Sequence, residues 1–430
     1  MTTRTSTKGQ CLVILLFGSA AIFFVYLYPS VSEFSISNRT LGTKQQHIVA
    51  STLKAQPPGK HVLTFNTQNN SITRHHNNLT YVGSVKTSPP DSSSLEEMKN
   101  QEVKIILWYI KTRYTMPILL PKPLNNCPWK CSITTNHKYQ NESSALLFAA
   151  QILKGSVPYR HDDQVFVFHN HEPANSLLGR SDIDKPEWRS QVNWTMWYRT
   201  DADIYEPYAI IKKRDNPPIR DYHTIIKSKT KMVAWLVSNC VTQSLREKYV
   251  KELQKYIDVD VYGGCGKLKC GRDDDEQCMD MINKDYKFYL AFENSHCKDY
   301  VTEKFFRYYA GDFILIARGA ANYKTLAPNG TFIDTADFSS VENLAKYLKR
   351  LNDNDEEYMS ILKRKDEYES LFEEYDIIKN NRVVYRTYHY FQQPICELCR
   401  RLWNLDQYRK SYSDINKWFR EKLCYKPTDI

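Results

Sequence analysis

The 430-residue sequence has no stretch where lysine and arginine gather alone. Its 59 basic and 49 acidic side chains are interspersed, so the net charge of +10 is spread thinly. That excludes the basic stripe of a nucleic-acid-binding surface. Glycine is scarce, 14 residues in all, so a loose glycine fingerprint is not where a phosphate site should be sought. Long hydrophobic runs are scarce too. The one that stands out is 11–28, 18 residues without a charge, near the short limit for a membrane-spanning helix. No Ala-x-Ala cleavage site follows it, and it is long for a signal-peptide core. The reading therefore favours an uncleaved anchor over a cleaved signal peptide. Arg4 and Lys8 precede the run and the next charge is Glu33, which places residues 1–10 in the cytosol and the rest in a lumen.

Residues 29–102 change character. They are rich in Ser, Thr, Asn, Gln and Pro and lack sustained apolar periodicity, a composition that cannot offset the entropy of ordering and predicts a flexible stem. Ten of the eleven cysteines lie beyond the anchor, with Cys127/Cys131 and Cys396/Cys399 as close pairs and Cys265, Cys270 and Cys278 clustered. In a cytosolic chain such spacings suggest zinc; in a lumenal chain disulfides are expected. The connectivity cannot be read from the sequence. Six Asn-x-Ser/Thr sequons, at Asn38, Asn69, Asn78, Asn141, Asn193 and Asn329, fit a secreted or lumenal protein.

The richest stretch is Lys287-Phe-Tyr-Leu-Ala-Phe-Glu-Asn-Ser-His-Cys-Lys-Asp-Tyr-Val-Thr-Glu-Lys304. Phe288 to Phe292 reads as a buried strand, followed by a polar loop. Asp299 fits a helix N-cap and Gly311 the residue past the helix end. A strand feeding a helix N-terminus offers free N–H groups to a diphosphate. Lys304 adds a full charge, and Glu303 is suited to accept hydrogen bonds from a sugar diol. The run resembles the signature of the GDP-fucose-dependent α1,3-fucosyltransferases. The resemblance extends to Val237-Ser-Asn-Cys240 with the downstream Arg246, to Asn193-Trp-Thr-Met-Trp-Tyr-Arg-Thr-Asp-Ala-Asp203, and to Pro207-Tyr208. An anchor and stem ahead of a catalytic region is a common layout of Golgi glycosyltransferases; a stalked cell-surface binding protein is the alternative.

Alternating strands and helices predict an α/β fold. Val103 to Tyr109, Val165 to His169 and Trp194 to Arg199 are read as strands, with Ser143 to Leu153 as a helix between them. In the second half the expected elements are strand Met232 to Val237, helix Ser244 to Ile257, strand Val259 to Tyr262, strand 287–292, helix 299–310 and strand 312–317. A capping box from Ser339 and Glu342 should open helix Ser340 to Leu351, with Val341, Leu344, Ala345, Leu348 and Leu351 on one face. Two such halves imply a GT-B-like arrangement of two Rossmann-like domains with the active site in the cleft between them. The domains are 103–228 on the acceptor side and 229–380 on the donor side, with a helical extension at 381–430.

Glycosyl transfer needs a base at the acceptor hydroxyl and cationic groups at the leaving diphosphate. Glu172, past the end of strand Val165 to His169 and before Pro173, resembles the family's catalytic base, with His171 as its rival. The resemblance assigns the donor pocket to Arg246, Tyr289, Asn294, Tyr300, Glu303 and Lys304. Asp201-x-Asp203 is read as structural and no metal site is assigned, so no cofactor is obligatory and a divalent cation would act only as a stimulant. The basic bias suits GDP-fucose. The family's usual Val-Pro-Val strand is replaced by Phe313-Ile-Leu-Ile-Ala-Arg-Gly319, and Arg318 there keeps open a catalytically silent glycan-binding protein. The segment Tyr262 to Cys270 with Cys278 resembles the invertebrate and plant core-type branch. That implies transfer to the innermost GlcNAc of an N-glycan or glycoprotein acceptor at the Golgi membrane; a Lewis or LacdiNAc-type acceptor is the alternative.

Overall fold

The computed structural model describes residues 64–66, 71–76, 79–84, 103–110, 127–150, 153–177, 181–270, 275–379, 382–389, 392–421 and 423–430. Contacts divide the chain into Met1–Ala55 and Gln56–Ile430, and the described residues all belong to the second unit. The expected anchor at 11–28 lies outside them; among the described residues no helix is long and apolar enough to cross a membrane. Within the span read as a stem, strands Thr64–Asn66, Ser71–His76 and Leu79–Ser84 form an antiparallel sheet.

Two parallel sheets carry the rest. The first has six strands in the order Cys131–Thr134, Lys104–Ile110, Ser143–Ala149, Val165–His169, Trp194–Trp197, Ile204–Tyr205, every neighbouring pair being parallel. The helix expected from Ser143 is instead the strand Ser143–Ala149. Its Ala and Leu residues favour helices, but it lies between two other strands, and all but one of its seven residues are buried. A strand covered on both faces shows a continuous apolar run and no alternation, so tertiary burial overrides propensity.

The second sheet has the order Val259–Tyr262, Lys231–Leu236, Tyr286–Phe292, Ile314–Arg318, Ile333–Asp334, again all parallel. The α/β class with parallel sheets is as read from the sequence. Helix Val341–Asn352 buries the five predicted residues Val341, Leu344, Ala345, Leu348 and Leu351 against the strand residues Val233, Phe288, Ile314 and Ile316. Its N-cap is Ser340, whose side chain accepts from the Asn343 N–H; Ser339 instead accepts from the Asn343 side chain. The predicted helix from Ser244 is shorter, Arg246–Leu253.

The C-terminal region is only partly helical as expected. Strands Glu373–Lys379 and Arg382–His389 pair antiparallel before helix Gln392–Trp403. Ile395, Leu398 and Leu402 of that helix pack on Ile106, Trp108 and Val167 of the first sheet. Disulfides Cys127–Cys396 and Cys131–Cys399 pin it there. Cys240–Cys265, Cys270–Cys278 and Cys297–Cys424 complete the pairing of all ten cysteines beyond the anchor.

Candidate active site

In a parallel sheet all strand carboxyl ends lie at one edge, which is where ligands bind. At that edge of the first sheet, His169, Trp197 and Tyr205 end three neighbouring strands. The turn after His169 is clamped through its own backbone. The Asn170 side-chain amide donates to the Glu172 carbonyl, and its Oδ1 accepts from the Glu172 N–H at 3.4 Å. Trp197 Nε1 donates to the same Glu172 carbonyl at 3.2 Å, and the Tyr208 hydroxyl donates to the His171 carbonyl at 2.8 Å. The Glu172 side chain is left as the half-buried group of the turn. Burial pushes its carboxyl above the ordinary range, the negative charge of Glu303 pushes it further, and Lys304 and His171 pull it back.

Glu303 and Lys304 come from the other sheet. Strand Tyr286–Phe292 is buried throughout and delivers Glu293 at its end, fully buried. The Glu293 carboxylate accepts from the Thr302 N–H at 2.8 Å and from the Thr302 hydroxyl at 3.0 Å. Lys304 Nζ lies 3.3 Å from Glu293, 3.0 Å from Glu303 and 2.8 Å from the Thr302 hydroxyl. Burial works against the Lys304 charge, but Glu293 and Glu303 outweigh it and hold the ammonium above its usual range. Glu303 is likewise opposed by burial and held below its usual range by Lys304. Glu172 therefore shares one electrostatic cluster with Glu303, Lys304 and Glu293 although it is more than a hundred residues away in the chain.

The helix expected at 299–310 is one turn, Glu303–Phe306, and Thr302 is its N-cap. Asp299 does not cap it. Its backbone is left-handed, φ 59°, a conformation that Asp tolerates better than most residues. Its carboxylate accepts from the Thr200 hydroxyl at 2.8 Å and the Thr200 N–H at 3.1 Å, which ties the two motif regions together. Gly311 lies past a loop, not directly after the helix.

Arg246 is buried at the start of its helix. Its Nη1 donates to the Phe292 carbonyl at 2.7 Å and its Nη2 to the Asn239 carbonyl at 3.2 Å, so the fork is engaged by backbone and is not presented free to a phosphate. Its buried Nε has no hydrogen-bond partner among the described residues, and neither does the buried Oδ1 of Asn294. Tyr289 lies inside the strand, stacked on Phe313 with ring centroids 5.2 Å apart. Tyr300 is buried beside Tyr198, 5.2 Å between centroids, and edge-on to Tyr208. Burial raises all three hydroxyls, Tyr198, Tyr208 and Tyr300, well above the phenol range. Asp201 and Asp203 are committed elsewhere. Asp201 pairs with Arg199 at 2.6 Å, and Asp203 accepts from Thr195, Tyr412 and Lys410.

One participant was not legible in the sequence. Glu206, fully buried, places one carboxylate oxygen 2.9 Å from His169 Nε2 and 3.1 Å from His171 Nε2. The three ligand-type atoms lie within 4.8 Å of one another, a set also able to hold a metal ion. A single glutamate before Pro207 carries no local pattern. Its role comes from the parallel pairing that sets the Ile204–Tyr205 strand beside Trp194–Trp197.

Two family profiles match the chain: "Fucosyltransferase, N-terminal" over residues 99–209 and "Glycosyltransferase family 10 (fucosyltransferase) C-term" over 226–418. The chain is 41% identical over 236 residues to the glycoprotein 3-alpha-L-fucosyltransferase A of Drosophila melanogaster; the match covers 53% of this chain and 43% of that protein. It is 32% identical over 322 residues to the alpha-(1,3)-fucosyltransferase C of the same organism, covering 68% of this chain and 70% of that one. Among solved structures, a crystal structure of an α1,3-fucosyltransferase is matched over 77% of this chain and 94% of its own, at 13% identity and a TM-score of 0.42. The chain belongs to glycosyltransferase family 10, the fucosyltransferases.

Proposed function

We propose that this protein is an inverting α1,3-fucosyltransferase that moves L-fucose from GDP-β-L-fucose to the 3-hydroxyl of GlcNAc. The observation that carries the reading is the joint electrostatic environment of Glu172 from one sheet and the Glu303–Lys304 pair from the other. A base and a leaving-group cation must face the same reacting carbon from opposite sides, and the reading is supported by the charges of Glu303 and Lys304, which follow a strand of the second sheet, acting on Glu172, which follows a strand of the first. The Glu172 carboxylate takes the proton of the GlcNAc 3-hydroxyl. The hydroxyl oxygen forms the new bond to fucose C1 from the face opposite GDP, and the C1–oxygen bond to the diphosphate breaks with the electron pair leaving on GDP. A carboxyl shifted above its ordinary range is a stronger base than a solvated one once ionised. Lys304 stabilises the charge that develops on the diphosphate, and the orphaned Arg246 Nε and Asn294 Oδ1 are available to the nucleotide. Glu303 binds the sugar diol.

The acceptor proposed is the innermost GlcNAc of an N-glycan. The support is the core-type resemblance of the 262–278 segment and the word "glycoprotein" in the name of the Drosophila relative. Disulfide Cys240–Cys265 ties the start of that segment to the loop after strand Lys231–Leu236, and Cys270–Cys278 joins two cysteines within it. The setting proposed is a Golgi membrane, anchored through residues 11–28, with the catalytic region lumenal. The test offers the full chain GDP-fucose with an N-glycan core glycopeptide and, separately, with N-acetyllactosamine and LacdiNAc oligosaccharides. Transfer to the core glycopeptide in preference is expected, and it should be abolished in Glu172→Gln while GDP binding survives. Transfer to none of them overturns the activity; preference for an antennal sugar overturns only the acceptor; near-normal turnover of Glu172→Gln moves the base to His171.

A further inference from the structure

The turn that carries Glu172 is held on two levels. Its backbone carbonyls are gripped by Tyr208 and Trp197. Its flanking side chains, His169 and His171, converge on the single carboxylate of Glu206. Glu206 is itself fixed, because its N–H donates to the Trp197 carbonyl at 2.9 Å, on the strand next to the one ending in His169. His169 is further packed edge-on against Trp108 at 5.0 Å, and His171 against Tyr208 at 5.2 Å. A fully buried carboxylate amid aromatic rings is costly unless well paired; here it lies one residue pair away from the proposed base.

We infer that Glu206 is a positioning residue: its acceptor-only carboxylate holds His169 and His171 in their Nε2–H forms and so aims Glu172 at the acceptor hydroxyl. The chemistry behind this is the asymmetry between a carboxylate and an amide. Both imidazoles approach the same oxygen of that carboxylate, and its other oxygen is buried without a hydrogen-bond partner among the described residues; an amide of the same shape has one accepting atom and one donating atom. In Glu206→Gln the amide nitrogen either faces the two imidazoles, so that a ring must turn or move its proton to Nδ1, or it takes the buried place of the second oxygen, where no described group accepts from it. That disturbs the residue on either side of Asn170, whose side chain closes the Glu172 turn. A displacement of the base by about 1 Å costs up to roughly a hundredfold in rate.

The inference rests on the reading of Glu172 as the base, and its test separates the two. Measure kcat and the KM for GDP-fucose of the full chain as wild type, Glu206→Gln, Glu206→Asp and Glu172→Gln, with melting temperature and metal content alongside. Glu206→Gln should lose roughly ten- to a hundredfold in kcat with the GDP-fucose KM unchanged within about twofold, and Glu206→Asp, which keeps two acceptor oxygens, should recover most of the loss. Wild-type kcat in Glu206→Gln overturns the inference. So does an equal loss of melting temperature and kcat in both Glu206 variants, which marks a merely structural carboxylate. One equivalent of divalent metal retained by the wild type and lost in Glu206→Gln would also overturn it, making the trio a metal centre. Turnover in Glu172→Gln refutes the base assignment instead, whatever the Glu206 variants do.

Discussion

Arg318 and Asp429 form a two-pronged ion pair: Arg318 Nε and Nη2 each donate to one carboxylate oxygen of Asp429 at 2.7 Å. Arg318 is 1% exposed, its Nη1 donates to the Ser244 carbonyl at 2.9 Å, and its guanidinium lies over the Tyr249 ring. The residue that breaks the family's strand pattern is thus matched by the C-terminal tail, which Cys297–Cys424 fastens to the signature loop. Arg318 is accounted for by structure, and its presence supplies no reason to expect a silent protein. Burial opposes the Asp429 charge, but the Arg318 hydrogen bonds outweigh it and hold the carboxyl below its ordinary range. The stabilisation is therefore complete above the unfolded carboxyl range and lost as pH falls through the lowered native value. Asp429→Asn should cost about 1–2 kcal/mol, less than a fully buried pair because the carboxylate keeps contact with water. Denaturant melts at neutral pH read it as a lower midpoint at unchanged slope, and the gap from wild type should close in acid. Equal midpoints at neutral pH would show the pair to be idle.

Lys304 has two duties that one substitution separates. It neutralises the buried Glu293 and is proposed to meet the diphosphate. Lys304→Ala should weaken GDP-fucose by about ten- to a hundredfold, the worth of a charge-assisted hydrogen bond, and lower turnover as well. The Glu293 carboxyl would then shift further upward, because burial already raises it and Lys304 is the charge that lowers it. Calorimetry with GDP and steady-state kinetics measure both effects. Unchanged GDP affinity would remove Lys304 from the donor site.

Much of the second sheet was legible because its strands and helices repeat at regular spacing, and because the apolar half of the signature run marks the central strand Tyr286–Phe292. The stripe Val341, Leu344, Ala345, Leu348 and Leu351 needed only a period of 3.6 and proved fully buried. The first sheet was harder. Ser143–Ala149 is written in helix-forming residues, and only its place between two strands makes it a strand. The cap was misplaced for a similar reason. Asp299 and Thr302 are both good caps by type, but the Asp299 carboxylate is taken by Thr200, almost a hundred residues earlier, a contact no local window contains. Glu172 and Lys304 were found through motif resemblance; Glu206 had no motif and became visible only when the sheet edge brought it to the two histidines.

Asn193 should stay unglycosylated although it heads a sequon. Its Oδ1 accepts from Arg160 Nη1 at 2.7 Å and from the Phe166 N–H at 2.9 Å, and its side-chain nitrogen donates to the Lys410 carbonyl at 2.9 Å. A glycan attached to that nitrogen would collide with the Lys410 segment and pull apart the join between strand and C-terminal region. Glycopeptide mass spectrometry of the chain produced in a glycosylating cell should find the peptide bearing Asn193 unmodified. Full occupancy there would mean that this packing forms only in part.

The pH profile gives the sharpest reading of the proposed base. Transfer needs Glu172 ionised, so activity should rise with pH along an acidic limb. Burial, followed by the Glu303 charge, places that limb above the ordinary carboxylate range. Lys304 acts in the opposite direction, favouring the carboxylate. The two neighbours therefore predict opposite displacements. Glu303→Gln removes a like charge and should move the limb of kcat/KM to lower pH; Lys304→Met removes an opposite charge and should move it to higher pH, whatever either change does to the height of the curve. The limb in kcat/KM reports the free enzyme, in which these are the charges that count. Profiles recorded at constant ionic strength decide the matter, since position on the pH axis is independent of how much activity each variant retains. Displacement of both variants in the same direction would show that the titrating group is not Glu172.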